Sequence, residues 1–140
     1  MLFPKKVKHR KWQTQRKSAK RLSRPDTRGT TVVFGSFALK ALSSARMTSN
    51  QIESARKVLA RATAKTGKMW IRIFPDRPVT AKPAEVGMGS GKGDPKFYVF
   101  EVRPGRVLFE LDGVPEDIAR AHLRQAGMKL PVTTSIVTRH

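Results

Sequence analysis

The residues of this chain that could do chemistry are mostly lysines and arginines, and they are concentrated at its start. The first 28 residues contain eleven Lys or Arg and a single acid, Asp26. Apolar side chains such as Phe3, Trp12 and Leu22 are too few to build a core that offsets about 1–2 kcal/mol of backbone entropy per ordered residue. We expect this segment to become ordered only against a polyanion, and RNA is the first candidate.

The rest of the composition shows which kinds of site the chain can contain. The 140 residues carry a formal charge of +19, and the sequence pI is about 11.5. Cysteine is absent, which excludes disulfides and thiolate metal sites and fits a reducing compartment. The histidines, His9, His122 and His140, are too scattered to predict a metal site. Neither a metal nor a cofactor is therefore expected.

Two groups of residues could suggest an enzyme, but neither is evidence for an active site. Asp112, Glu116 and Asp117 cluster, but acids at the start of a helix are explained by the helix dipole. The glycine-rich run from Gly87 to Gly93 lacks the first glycine and the Ser or Thr of a phosphate-binding P-loop, and it is flanked by prolines rather than by the strand and helix of a dinucleotide site. We therefore predict that the chain is not an enzyme.

The same glycine-rich run belongs to a connection, Pro75 to Lys96, that is too long merely to join two strands. One interpretation is a flexible loop. The other is a finger whose backbone N–H groups, together with Lys82 and Lys92, lie against nucleic acid.

The elements that would position these residues can be read from apolar periodicity. Strands are predicted in the segment 30–42, where Gly35 marks a bulge or bend, and over 69–74, 97–102, 106–111 and 129–137. The turn Arg103-Pro104-Gly105-Arg106 predicts an antiparallel hairpin between the third and fourth of these strand regions.

Two helices are predicted between the strands. The first begins with a capping box, Thr48 to Gln51, buries Ile52, Ala55, Leu59 and Ala62, and ends at Gly67. Its other face carries Arg56, Lys57, Arg61 and Lys65, which suit either a solvated surface or phosphate contact. Glu53 lies one turn before Lys57, a spacing that allows an ion pair between them. The second follows Gly113, has Pro115 in its first turn, buries Ile118, Ala119, Leu123 and Ala126, and is capped by Gly127.

These elements predict an α+β fold in which two helices pack on one face of a mainly antiparallel sheet. We place a basic RNA-binding extension at residues 1–28 and a single α+β domain at residues 29–140. No apolar run is long enough to span a membrane. The first 28 residues, which we call the lead, do not resemble a secretory signal. A transit peptide is disfavoured because Pro4, Pro25 and the close-packed cations leave no clean amphipathic helix.

Several motifs together resemble one known family. The runs KMWIRIFPDRPVTAKPAEVGMGSGKGDP, VRPGRVLFELDGV and KLPVTTSIVTR, with MLFPKKVKHRK and FGSFALKAL, closely resemble the bacterial large-subunit ribosomal protein L-sixteen family, which is shared with the archaeal and eukaryotic L-ten-e proteins. The match covers nearly the whole chain. Gly87 stands where the family commonly has arginine, and Tyr98 stands where it has tryptophan.

The resemblance implies a non-catalytic protein bound to large-subunit rRNA near the central protuberance and the peptidyl-transferase region. Such a protein would contact tRNA in the A and P sites, support late subunit assembly and touch neighbouring large-subunit proteins. It would not bind a membrane or form a homo-oligomer, and it would reside in cytoplasmic rather than organellar ribosomes. The alternative is a free-standing basic RNA-binding or chaperone module outside the ribosome.

Two groups of residues carry these expectations. The predicted rRNA-binding residues are Lys5, Lys6, Lys8, Arg10, Lys11, Arg16, Lys17, Lys20, Arg21 and Arg56. The loop expected to face tRNA and the peptidyl-transferase region contributes Lys82, Met88, Gly89, Ser90, Gly91, Lys92 and Gly93.

Overall fold

A computed structural model describes residues 2, 4, 24–64, 66–81 and 94–139. Along the chain these residues form strands β1 (Phe37–Ala41) and β2 (Ala45–Thr48), helix α1 (Ser49–Thr63), strands β3 (Lys68–Ile71), β4 (Arg77–Ala81), β5 (Asp94–Val102) and β6 (Val107–Asp112), helix α2 (Glu116–Met128) and strand β7 (Thr134–Thr138). No helix in this part of the chain combines the length and apolar character needed to cross a bilayer.

The strands form two antiparallel sheets, which confirms the α+β class but replaces the single sheet expected. Sheet A has the order β3-β6-β1-β7, and sheet B has the order β2-β5-β4. Strand β5 is central in sheet B, which fits its apolar sequence.

The predicted hairpin between β5 and β6 is wrong, although the turn that suggested it is present. Gly105 has a φ of +94°, as such a turn requires. However, β5 pairs with β2 and β4, whereas β6 pairs with β1 and β3. The Gly105 N–H donates to the carbonyl of Ala41 at 2.7 Å, and the Ala41 N–H donates to the carbonyl of Arg106 at 2.9 Å. These bonds hold the turn at the end of β1, so it passes the chain from one sheet to the other.

Helix α1 confirms its sequence prediction. The Gln51 N–H donates to the Thr48 hydroxyl at 3.3 Å, and the Thr48 N–H donates to the Gln51 side chain at 2.9 Å, so both halves of the capping box are made. Ile52, Ala55 and Leu59 are buried as expected, while Ala62 is half-buried.

Helix α2 departs from the prediction at both ends. Pro115 lies just before the helix, and Ile118 is 40% exposed instead of buried. Gly127 lies inside the helix and is buried, so it is not the cap. A Cβ at this position would lie 2.5 Å from the Thr134 hydroxyl, so glycine here allows close packing of α2 on β7.

The core lies between the two helices and one face of sheet A, and it extends to sheet B. Leu39, Phe109 and Leu111 of sheet A meet Ile52, Ala55 and Leu59 of α1 and Ala119 and Leu123 of α2, and Met47 and Val102 join from sheet B. The opposite face of sheet A is left for the N-terminal part of the chain.

One strand prediction and the predicted long connection need adjustment. The strand predicted over 69–74 ends at Ile71, although the Arg72 N–H still donates to Leu108 at 2.9 Å. Part of the long Pro75–Lys96 connection is strand, because β4 pairs with β5 as far as Ala81 opposite Asp94. Residues 82–93, which join these strands, lie outside the described residues.

Candidate nucleic-acid interface

Most of the residues predicted to bind RNA lie outside the described part of the chain. These are Lys5, Lys6, Lys8, Arg10, Lys11, Arg16, Lys17, Lys20 and Arg21 of the lead, and Lys82, Met88, Gly89, Ser90, Gly91, Lys92 and Gly93 of the loop. Their roles stay predictions. Arg56 is described, and so are Leu2, Pro4 and the residues from Arg24 onward, which lie on either side of the undescribed part of the lead.

Arg56 is bound to Glu53 on the surface of α1. Its Nε donates to one carboxylate oxygen at 3.0 Å, and its Nη2 pairs with the other. The hydrogen bond from Arg56 lowers the pKa of Glu53, and the same contact raises the pKa of Arg56. Lys57, one turn after Glu53 as the sequence indicated, also lowers the pKa of Glu53 through its charge, but the hydrogen-bonded partner is Arg56. Lys57 and Arg61 are exposed beside the pair, which fits a solvated face and a phosphate contact alike.

Sheet A has an outer face that points away from the helices. Trp70, Glu110, Ala38 and Val137 are cross-strand neighbours, so their side chains point to the same side. Residues 24–36, which we call the crossing segment, pass over this face before β1 begins. A groove of about 380 Å³ between the crossing segment and β7 is lined by Thr30, Thr31, Val32, Lys40, Val137, Thr138 and Arg139.

Glu110 holds the crossing segment to the sheet. Its side chain is fully buried, and one carboxylate oxygen accepts the backbone N–H groups of Val33 and Phe34 at 2.9 Å and Gly35 at 3.0 Å. The other oxygen pairs with Nη1 of Arg72. Burial raises the pKa of Glu110, but the hydrogen bonds from Gly35, Arg72, Phe34 and Val33 outweigh it, so the pKa lies below its ordinary value. Glu110 is therefore an ionised acceptor at neutral pH.

Sequence reasoning missed this site. One available signal was a lone acid within the apolar run VLFEL. The same signal occurs at Glu101 in β5, which pairs with Arg77 and lies 3.8 Å from Nε of Arg46. In both strands a carboxylate among apolar residues marks an arginine partner brought by another part of the chain.

Gly35 lies in a bend, as predicted, and it also allows close approach of two backbone segments. A Cβ at this position would lie 2.4 Å from the carbonyl oxygen of Leu111. The next residue, Ser36, donates its N–H to that same carbonyl at 2.9 Å. Glycine at position 35 therefore lets the crossing segment lie directly on the backbone of β6.

Arg106 ties the crossing segment to both sheets. Its guanidinium donates to the carbonyls of Arg28 at 3.2 Å and Arg72 at 3.3 Å, and it lies 3.6 Å from the carboxylate of Asp26. It also stacks over Phe100 of sheet B, 5.2 Å from the ring centre. Leu2 and Arg106 line the same groove. Asp26 is thus held at Arg106, while Leu2, on the other side of the undescribed residues 5–23, packs against the hydrophobic core.

The outer face and the crossing segment are rich in cations. They carry Arg24, Arg28, Lys40, Lys68, Arg72, Arg106 and Arg139. The acids there are Asp26 and Glu110, already bonded to arginines, and Asp112. The Ser36 hydroxyl, at 2.8 Å, and the Gly113 N–H, at 2.9 Å, bind Asp112 and lower its pKa, with smaller contributions from Arg139 and Lys68. The described part of this surface therefore presents positive charge.

The other groups considered for chemistry have structural partners. Glu116 accepts from Nε of Arg120 at 3.0 Å, and Glu116 and Asp117 lie in the first turn of α2. His122 bonds through Nδ1 to the carbonyl of Ile118 at 2.9 Å. Across the described residues, no group of three His, Asp or Glu side chains could hold a metal ion. His9 and His140 lie outside them.

The fold and its cation-rich face are those of a small basic α+β protein of the kind that binds a polyanion. Comparison with known proteins identifies the family. The family model described as "Ribosomal protein L16p/L10e" matches residues 4–137. The chain is also 54% identical over 140 residues to the large ribosomal subunit protein uL16 of Leptospira biflexa serovar Patoc, in strain Patoc 1 / Ames and in strain Patoc 1 / Paris. Each match covers all of this chain and 98% of the relative.

The chain therefore belongs to the L16p/L10e family of ribosomal proteins, which confirms the resemblance noted in its motifs. Because this is a family of structural ribosomal proteins, the prediction that the chain is not an enzyme is also confirmed.

Proposed function

We propose that this protein is a structural constituent of the large ribosomal subunit in cytoplasmic ribosomes, where it binds large-subunit rRNA and touches neighbouring large-subunit proteins. The observation that carries the proposal is the full-length match to large-subunit proteins uL16, at 54% identity. The net charge of +19 supports it, because a protein embedded in rRNA must neutralise phosphates.

The lead and the outer face of sheet A are the surfaces we assign to rRNA. Residues 5–23 contain nine Lys or Arg and no acid. On one side of them Leu2 packs against the core, and on the other side Asp26 pairs with Arg106. Fixing the two ends lowers the entropy that must be lost when the intervening cations bind RNA. Arg56 would add a contact through the guanidinium donors that Glu53 does not use. Lys and Arg would neutralise phosphates, while the tertiary shape of the RNA selects the site.

The loop between β4 and β5 is the surface we assign to tRNA and the peptidyl-transferase region. Pairing of Ala81 with Asp94 brings both ends of residues 82–93 to one end of sheet B. That loop contains four glycines, which permit close backbone approach, and two lysines, Lys82 and Lys92. A position near the central protuberance and a role in late assembly complete the proposal, and both follow from the family resemblance.

Sedimentation of ribosomal particles tests the proposed function. The protein, tagged and expressed at its natural level, is expected to sediment with large subunits at one copy per subunit. The salt response is a second readout. If six to ten phosphates are contacted, affinity for large-subunit rRNA should fall by about 10³ to 10⁵ between 50 and 200 mM salt, taking duplex DNA as the guide. Recovery mainly in free RNA complexes would instead indicate the free-standing RNA-binding or chaperone module.

The tRNA assignment needs a separate readout. The double variant Lys82→Gln/Lys92→Gln is expected to join large subunits normally but to weaken tRNA occupancy of those subunits. Lys57→Gln/Arg61→Gln, which removes the same charge from α1, is the matched control. Equal tRNA occupancy for the two variants would contradict the assignment to the loop.

A further inference from the structure

Phe34 is an aromatic side chain that is firmly held and yet half exposed. Its relative exposure is 49%, and that of its neighbour Val33 is 47%. The backbone N–H groups of both residues donate to the buried Glu110. An exposed apolar group on a segment fixed by a buried carboxylate is not explained by packing of the described domain.

Two side chains of sheet A contact the Phe34 ring. The ring stacks on Trp70, with 5.9 Å between ring centroids and 19° between their planes, and the guanidinium of Arg72 lies 5.2 Å from its centroid. Trp70 and Arg72 are two residues apart along an extended stretch, so both project from the same side of sheet A. The Phe34 ring therefore contacts sheet A through both of them, while the residue as a whole stays 49% exposed.

The surroundings of the exposed Phe34 side chain favour RNA as the binding partner. Arg28, Lys68 and Arg72 belong to the same outer face, and its acids are already bonded. This face follows directly in sequence from the lead assigned to rRNA. Unpaired bases combine a π-face, which stacks on aromatic side chains, with a phosphate that suits nearby cations.

We propose that the outward face of Phe34 is a stacking site for one unpaired base of the large-subunit rRNA. The proposal rests on the proposed function and deepens it by naming a contact that reads RNA shape at a single nucleotide. Trp70 and Arg72 support the ring from below, and Glu110 fixes its backbone, so the platform is formed before RNA arrives. Preorganisation of this kind lowers the entropy lost on binding.

The experiment measures binding of the full-length protein to large subunits prepared without it. Phe34→Leu keeps an apolar contact with Trp70 but removes the aromatic face, and Phe34→Trp restores one. Phe97→Leu is the matched control, because Phe97 is also exposed, at 40%, but lies on β5 of sheet B. Affinity, its salt dependence and the acylation of rRNA 2′-hydroxyls are recorded for each variant, and thermal unfolding checks the fold.

Loss of one stacked base is expected to weaken binding of Phe34→Leu about 5- to 150-fold. The slope of log affinity against log salt should not change, because no phosphate contact is removed. One or a few nucleotides should become more reactive, Phe34→Trp should bind within about threefold of the natural protein, and Phe97→Leu should leave the reactivity pattern unchanged.

The outcomes separate this proposal from the proposed function. If the natural protein fails to bind the subunits, the proposed function falls and the stacking site falls with it. If it binds and Phe34→Leu binds equally well, only the stacking site is overturned. Weaker binding without any nucleotide becoming more reactive, or without rescue by tryptophan, would show that the ring serves packing or a protein contact, and this too would overturn the proposal.

Discussion

At the scale of single residues, Glu110 is the side chain whose replacement we expect to affect folding most. Glu110→Gln keeps the shape but removes the charge that compensates Arg72, whose side chain is only 17% exposed. Removing one partner of a buried ion pair should cost about 3 kcal/mol of unfolding free energy. Urea unfolding at pH 7 measures the loss. Glu116→Gln, in an exposed pair with Arg120, is the matched control and should change stability by less than about 0.5 kcal/mol.

The difference in unfolding free energy between the natural protein and Glu110→Gln should depend on pH in a defined direction. The pKa of Glu110 is lowered by folding, so its contribution to stability is fully present above the ordinary glutamate value near 4.5 and is lost as the pH falls through the lowered value. The stability gap between the natural protein and Glu110→Gln should therefore be constant above about pH 4.5 and should narrow in more acidic solution. A gap that widened on acidification would contradict the role of Glu110 as an ionised acceptor.

The contrast between Thr48 and Glu110 shows which contacts a sequence reveals. Thr48 and Gln51 are three residues apart, so their capping box is visible as a local motif. Glu110 reaches Arg72 across 38 residues and Val33 across 77. Only the tertiary fold brings these groups together, and a single sequence carries no local sign of which cation a buried acid will meet.

At the scale of elements, local signals identified turns and helices more reliably than strand partners. Gly105 makes the predicted turn, but whether β6 returns beside β5 depends on β1 and β3, which bind β6 on both sides. Likewise, the sequence showed that the Pro75–Lys96 connection was too long, and pairing of β4 with β5 accounts for its ends. Both helices were identified because an apolar stripe is internal to each segment, but only α1 has the cap that its sequence predicted.

Gly35→Ala is the substitution that tests how the crossing segment is seated on sheet A. The added methyl group would meet the Leu111 carbonyl, which is backbone and cannot rotate away. We expect a loss of about 2–3 kcal/mol in unfolding free energy, the upper part of the usual range for overpacking. Hydrogen exchange should also show faster exchange at the Val33 and Phe34 N–H groups.

A neighbouring substitution controls for the position of Gly35. Val33→Ala alters an exposed side chain on the same segment and should change stability by less than about 0.5 kcal/mol. If Gly35→Ala is as stable as the natural protein, the crossing segment can lift from β6 without penalty, and the seating described for it is wrong.

At the scale of the whole molecule, the fold separates two sides of sheet A. The helices cover one face and contribute the core, while the crossing segment and its cations occupy the other. Arg106 joins the crossing segment to sheet A through the Arg72 carbonyl and to sheet B through Phe100. The crossing segment is thereby bonded to sheet A and in contact with sheet B, whose strands β4 and β5 are joined by residues 82–93. This arrangement predicts that charge removed from the two sides will have unequal effects on RNA binding.

Two triple variants with the same change in net charge test that prediction. Lys40→Gln/Lys68→Gln/Arg139→Gln neutralises the outer face, and Arg120→Gln/Arg124→Gln/Lys129→Gln neutralises the surface of α2 and its C-cap. Each phosphate contact contributes about 0.7–0.9 to the slope of log affinity against log salt, so the outer-face variant should lower that slope by about 2–3. The α2 variant should alter it by less than about 0.5, because a general loss of charge without lost contacts barely changes counterion release. Titration of large-subunit rRNA over a series of salt concentrations measures both slopes. Equal slopes would show that RNA does not distinguish the two sides, and the outer face would lose its assignment.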